Sequence, residues 1–161
     1  MSLLDNLFQV AYATNDLDRA LAVIEERFGI KGLMRTENLV IDLDRGTQAQ
    51  LRHALIYVGA MQFEVLQPVV GDIDVFTRTF PAAPGFHLAL HHVCLDLESE
   101  AAFEAALAEH RARGNEVLFE GRRTGRSRFA FVDTRAQLGH MLELLHATPE
   151  GRAARAAVPR A

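Results

Sequence analysis

Apolar residues dominate Leu7 to Ala13 (Leu-Phe-Gln-Val-Ala-Tyr-Ala), and the length and mix of that run suit a strand. The period then changes. Leu17, Ala20, Leu21, Ile24 and Phe28 recur at helical spacing, and Gly29 ends the run. Asn15 stands at the expected N-cap, with Asp16 and Asp18 in the first turn, so residues 16–28 read as an amphipathic helix. Strand-like stretches follow at Gly32 to Thr36 with Leu39 to Leu43, at Leu51 to Val58, and at Met61 to Leu66. Gly59-Ala60 between the last two reads as a tight hairpin turn.

Pro68, Gly71, Pro81, Pro84 and Gly85 punctuate a connection, within which Phe76 and Phe80 fit a short helix or a packed loop. The pattern then returns. His91 to Leu97 reads as a strand; Ser99 and Glu100 start a helix with Phe103, Ala106, Leu107 and His110 on one face, closed by Gly114. Three more strands are expected at Glu116 to Phe119, Ser127 to Val132 and Met141 to His146, before an Ala- and Arg-rich tail from Pro149 that fits either a short terminal helix or a frayed end. Gln9 and His92 open the first strand of their halves, while Glu64 and Glu143 lie in the last, each pair offset by about 80 residues. The expected class is α+β, from two βαβββ halves. Module one covers about residues 7–67, a linker 68–90, module two 91–146 and a tail 147–161, in a single domain.

The chain has 161 residues, 49% apolar and 24% charged, and a net charge of −4. This is ordinary globular composition, with no global electrostatic claim on nucleic acid or an anionic membrane. No run approaches the length of a membrane span, and Met1 to Asp5 is unlike a signal peptide. One cysteine, Cys94, excludes an internal disulfide and points to a reducing compartment, so a cytoplasmic location is expected.

Strand alternation puts Gln9, Glu64, His92 and Glu143 on faces turned away from the helices. Should the two sheets close around that shared face, all four meet in one cleft. Buried carboxylates need compensation, and a divalent cation supplies it. One imidazole with three oxygen donors suits Zn, Ni, Co, Mn, Fe or Mg and leaves positions free for water or substrate oxygens. Arg122, Arg123, Arg126 and Arg128, grouped between the sixth and seventh strands, read either as an anion clamp or as a solvated loop. Cys94 is expected to face the cleft, and His53 is a possible substrate contact. His91, His140 and His146 fall on the opposite register and are given no catalytic role.

The stretch Gln9-Val-Ala-Tyr-Ala-Thr-Asn-Asp-Leu-Asp-Arg-Ala-Leu resembles the opening of the vicinal oxygen chelate superfamily. His91-His92-Val-Cys-Leu-Asp-Leu resembles its fifth strand, and Leu138-Gly-His-Met-Leu-Glu143-Leu its last. The resemblance implies paired βαβββ modules forming a cupped, mostly antiparallel sheet around a metal in a central cleft, often in a homodimer. Gln, Glu, His and Glu in chain order look most like glyoxalase I. That set implies a lyase or isomerase in which proton transfer α to a carbonyl proceeds through a metal-bound enediolate, with Glu143 as first and Glu64 as second candidate base. A methylmalonyl-CoA epimerase-like enzyme, whose set would read His, Gln, His, Glu, is the alternative. A metal-free small-molecule binder on the same fold is a third reading, although such binders usually lack the ligands. Ring-cleaving dioxygenases want two His and one Glu, and Gln9 stands where the first His would be. A small carbonyl or thioester substrate is implied. The chain departs from the pattern in lacking Phe-Tyr before Gly29, in carrying Asp133-Thr134-Arg135 where Asp-Pro-x-Gly is commoner, and in offering no glutathione-binding set.

Overall fold

In a computed structural model describing residues 6–30, 32–58 and 61–160, eight strands curve into a closed barrel-like cup. β1 (Leu7–Thr14) leads into helix α1 (Leu17–Phe28), then β2 (Leu33–Leu43), β3 (Gln48–Val58) and β4 (Met61–Gly71). A turn of helix, α2 (Asp74–Thr77), precedes β5 (Leu88–Asp96), α3 (Glu100–Ala112), β6 (Val117–Arg123) and β7 (Ser127–Val132). The chain ends with α4 (Arg135–Leu138), β8 (Met141–Ala147) and α5 (Pro149–Ala156). Around the cup the order is β1-β4-β3-β2-β6-β7-β8-β5. The β1–β4 and β5–β8 pairs are parallel, and every other neighbouring pair is antiparallel. The Gly59-Ala60 turn lies outside the described residues.

Helix α1 buries Leu17, Ala20, Leu21 and Ile24 against Ala54, Ile56 and Val65 on the outer wall, and α3 does the same with Phe103, Ala106 and Leu107 against Ala130, Val132 and Leu144. The interior is lined by Leu39, Ile41, Leu51, Leu66 and a knot of Phe119, Phe129 and Phe131, into which α2 inserts Val75 and Phe76. Edge-on contacts of Phe131 with Phe76 and Phe119 hold the rings in the arrangement their quadrupoles favour.

Several boundaries differ from the sequence expectation. The α1 cap is Asp16, whose side chain accepts from the Arg19 amide at 3.0 Å. Asn15 is instead committed to the segment before β5, donating to the Gly85 carbonyl and accepting from the His87 amide. The two expected stretches around Thr36 and Leu39 are one strand, interrupted by a register shift between those residues. β4 continues past Leu66 because Leu51 pairs with Pro68 and Gln50 with Val70, so Val69 is an extra residue where the Pro can do without a ladder donor. β6 runs on through Arg122 and Arg123, which are strand residues rather than loop residues. The tail is the helix α5, capped by the Thr148 hydroxyl accepting from the Gly151 amide.

Candidate metal centre

A cavity of about 120 Å³ opens inside the cup, lined by Gln9, Glu64, His92 and Glu143 among apolar side chains. Glu64 comes from β4, His92 from β5 and Glu143 from β8, and they meet because parallel pairing brings the first and last strands of each half side by side. Candidate ligand atoms of these three residues all lie within 4.8 Å of one another. The Nε2 of His92 is 3.0 Å from Glu143 Oε2 and 3.4 Å from Glu64 Oε2. Neither oxygen is in line for a hydrogen bond, so this buried nitrogen has no partner. Two donors about 2.1 Å from one ion stand about 3–4 Å apart. An unpartnered imidazole nitrogen facing two carboxylates at such separations therefore fits a divalent cation, and His92, Glu64 and Glu143 are the residues that would hold it.

Gln9 is buried and lines the same cavity, with its amide nitrogen donating to Gln62 Oε1 at 3.0 Å. Gln62 in turn donates to the Tyr57 hydroxyl. His53 is buried with its Nε2 2.8 Å from Glu64 Oε1, so it braces a carboxylate. Arg123 and Arg126 line the cavity, whereas Arg122, one residue out of phase on β6, is exposed and does not. Cys94 is fully buried, paired in register with Gln9 on one side and Glu143 on the other, and is not part of the cavity wall. Arg128 is spent on Glu100, Glu104 and Glu120.

The sequence reading missed His91. Across the β1–β5 pair, Ala11 faces His92 and Tyr12 faces Leu90, which leaves His91 as the extra residue of a β-bulge. The bulge breaks alternation, so both histidines are buried. His91 Nδ1 lies 2.8 Å from His92 Nδ1, and His91 Nε2 lies 3.1 Å from the Val75 carbonyl. Two adjacent buried histidines in an otherwise apolar strand were the available signal; a regular period of two hid it.

Electrostatics separate the neighbours. Burial, with the positive charge of His92 beside it, drives His91 down to about 3. Burial alone would lower His92 too, but Glu143 and Glu64 outweigh it and raise the ring to about 9. Glu64 is held well below the ordinary carboxylate range because His53 and His92 overcome the penalty of its burial. Burial, reinforced by Glu143, pushes the Cys94 thiol well up, so it is no nucleophile.

The profile of the Glyoxalase/Bleomycin resistance protein/Dioxygenase superfamily matches residues 8–131. The chain belongs to this superfamily. Among curated proteins no match to the sequence is found. Similar solved structures include methylmalonyl-CoA epimerase from Mycobacterium tuberculosis, at 22% identity and TM-score 0.62, covering 95% of both chains. A methylmalonyl-CoA epimerase in complex with methylmalonyl-CoA and NH4+ is 22% identical over 89% of this chain and 95% of that one, at TM-score 0.62. A Streptomyces coelicolor methylmalonyl-CoA epimerase variant in complex with 2-nitronate-propionyl-CoA also matches at 22% and 0.62, over 89% and 94%. At these identities the likeness is one of fold, that of the superfamily's mixed α+β cup. No described helix is long and apolar enough to cross a membrane.

Proposed function

We propose that this superfamily member is a metal-dependent enzyme that moves a proton α to a carbonyl, acting as an epimerase or isomerase on a small acyl thioester. The observation that carries the reading is the convergence of Glu64, His92 and Glu143 around an unpartnered, buried His92 Nε2. Gln9 would complete the ligand set, and the bound ion would supply Lewis-acid stabilisation of the charge that develops on the substrate oxygen. Epimerisation takes the α-proton from one face with a carboxylate and returns a proton to the other face, from a carboxyl group that solvent has protonated. Glu143 and Glu64 are the two carboxylates in the cavity, and Glu64 is oriented for the task by His53. Arg123, largely desolvated and without an ion-pair partner among the described residues, would meet an anionic group of the substrate, with Arg126 at the rim.

The epimerase reading is placed before the glyoxalase-like lyase because the fold neighbours include epimerases that bind CoA thioesters. Two paired modules within one chain, a homodimer and a cytoplasmic location belong to the same proposal. Solvent deuterium entering the α-carbon of methylmalonyl-CoA, on protein loaded with Zn2+, Co2+ or Mn2+, tests it. Exchange on the thioester supports the epimerase, and exchange only on a thiohemiacetal supports the lyase. No exchange on either, with the ions bound, overturns both and leaves a binding protein.

A further inference from the structure

We infer that His91 is a positioning residue that fixes the tautomer and aim of His92, anchoring it to the backbone of α2 through a two-imidazole relay. The inference concerns the same cavity as the proposed metal-dependent reaction and deepens that reading, but its own evidence is hydrogen-bond geometry. The Val75 carbonyl can only accept, so the His91 nitrogen 3.1 Å away must be Nε2–H. His91 touches no carboxylate among the described residues; it is packed between Phe76, stacked 5.7 Å away, and the edge-on ring of Phe131. A neutral ring carrying its proton on Nε2 has a bare Nδ1. That bare nitrogen is the atom 2.8 Å from His92 Nδ1, so His92 must donate there. With its Nδ1 committed as donor, the lone pair of a neutral His92 resides on Nε2, the atom that faces Glu64 and Glu143 without a partner. Each assignment forces the next, and the order has one free end, inside the cavity.

The orienting group behind a metal-binding histidine is commonly a carboxylate, carbonyl or water. Here it is a second imidazole, available only because the bulge at His91 turns two consecutive side chains inward. A neutral acceptor leaves the charge of the centre to Glu64 and Glu143 alone. It also ties the aim of His92 to α2, a segment of the connection between the two halves, through Val75 and the stacked Phe76.

The test combines two measurements on the full chain. In 15N spectra of the metal-free protein, His91 should show a protonated Nε2 and an acceptor Nδ1, with a slowly exchanging Nδ1–H on His92. A proton on His91 Nδ1 instead would overturn the relay. In the second arm, Zn2+ affinity is read by chelator competition for wild type, His91→Phe and His91→Asn. Phe fills the ring's space without an acceptor, while the Asn carbonyl can stand in for Nδ1. His91→Phe should bind Zn2+ about 10–100-fold more weakly, and His91→Asn should recover most of the loss although it packs less well. Equal affinity for wild type and His91→Phe, or a greater loss in His91→Asn, would refute the positioning role. Should wild type itself bind no Zn2+, the metal reading fails, and the spectra of the metal-free protein still decide the relay. They do so even if His91→Phe does not fold.

Discussion

Adjacent histidines on one strand are driven to opposite protonation states, and the difference has a sign that can be measured. In an unfolded chain both titrate near 6.5. Folding raises His92 to about 9, so its contribution is complete below 6.5 and is lost as pH rises through 9. Folding lowers His91 to about 3, so its contribution is present above 6.5 and is lost as pH falls. For these two groups the metal-free protein is most stable near pH 6.5, and His92 alone accounts for roughly 3 kcal/mol lost between there and pH 9. Urea denaturation across that range checks it; stability flat or rising to pH 9 contradicts it. Glu143→Gln removes the first of the charges that hold the proton on His92, and should flatten that decline. Metal binding adds a consequence. Because His92 carries a proton at pH 7.5, Zn2+ must displace it, and calorimetry in buffers of different ionisation enthalpy should report about one proton released per ion.

Helix α5 contributes Gly151, Ala154 and Arg155 to the cavity lining. Arg152 and Arg155 pair with Asp96 at the end of β5, Arg155 also covers the Phe8 ring, and Val158 beyond the helix is buried against Leu55 and Tyr57. The docking depends on a close approach: a Cβ on Gly151 would stand 2.1 Å from the Arg126 carbonyl oxygen. Gly151→Ala should therefore cost about 1–3 kcal/mol and show it locally, as faster amide exchange over residues 149–158 with α1 and α3 unaffected. Unchanged exchange there would mean the backbone yields at no cost. Elements such as α5 also mark how far the sequence could be read. Short apolar runs bounded by turn residues, β7 and β8, were placed almost to the residue, and Glu143 stood out as a lone acid in Met-Leu-Glu-Leu-Leu. What stayed hidden lies where alternation breaks, at the bulges of Val69 and His91. A bulge changes the facing of a side chain without changing composition, so period-two reasoning gave His91 no part, while Pro68 and Gly71, read as the punctuation of a connection, stopped β4 too early. Arg122 and Arg123 were grouped because both read as connection between two strands; with both inside β6, its register tells which one looks inward.

At the scale of the whole molecule, the centre joins parts of the chain that the sheet itself holds unequally. β1 and β5 are paired along most of their length, from Leu7 opposite Leu95 to Thr14 opposite Leu88. On the other side of the cup, β2 and β6 meet only where Asp42 pairs with Arg122 and Leu43 with Gly121. That seam should open first, so its amides should exchange ahead of those between β1 and β5. Glu64 belongs to the first half, and His92 and Glu143 to the second, so an ion held by all three ties the halves together close to the β1–β5 side. A ligand present at 100 times its dissociation constant adds about 2.7 kcal/mol if it binds the folded state alone. For a chain of this size that is about 5–10 °C in Tm. Zn2+ at that excess should raise the midpoint of wild type by this amount, and excess chelator should reverse it. Glu64→Gln and Glu143→Gln, which lie on opposite sides of the join, should each abolish most of the rise. A rise that survives in either variant would place the ion elsewhere, and the three residues would then be only a buried ion-pair cluster bracing the cup.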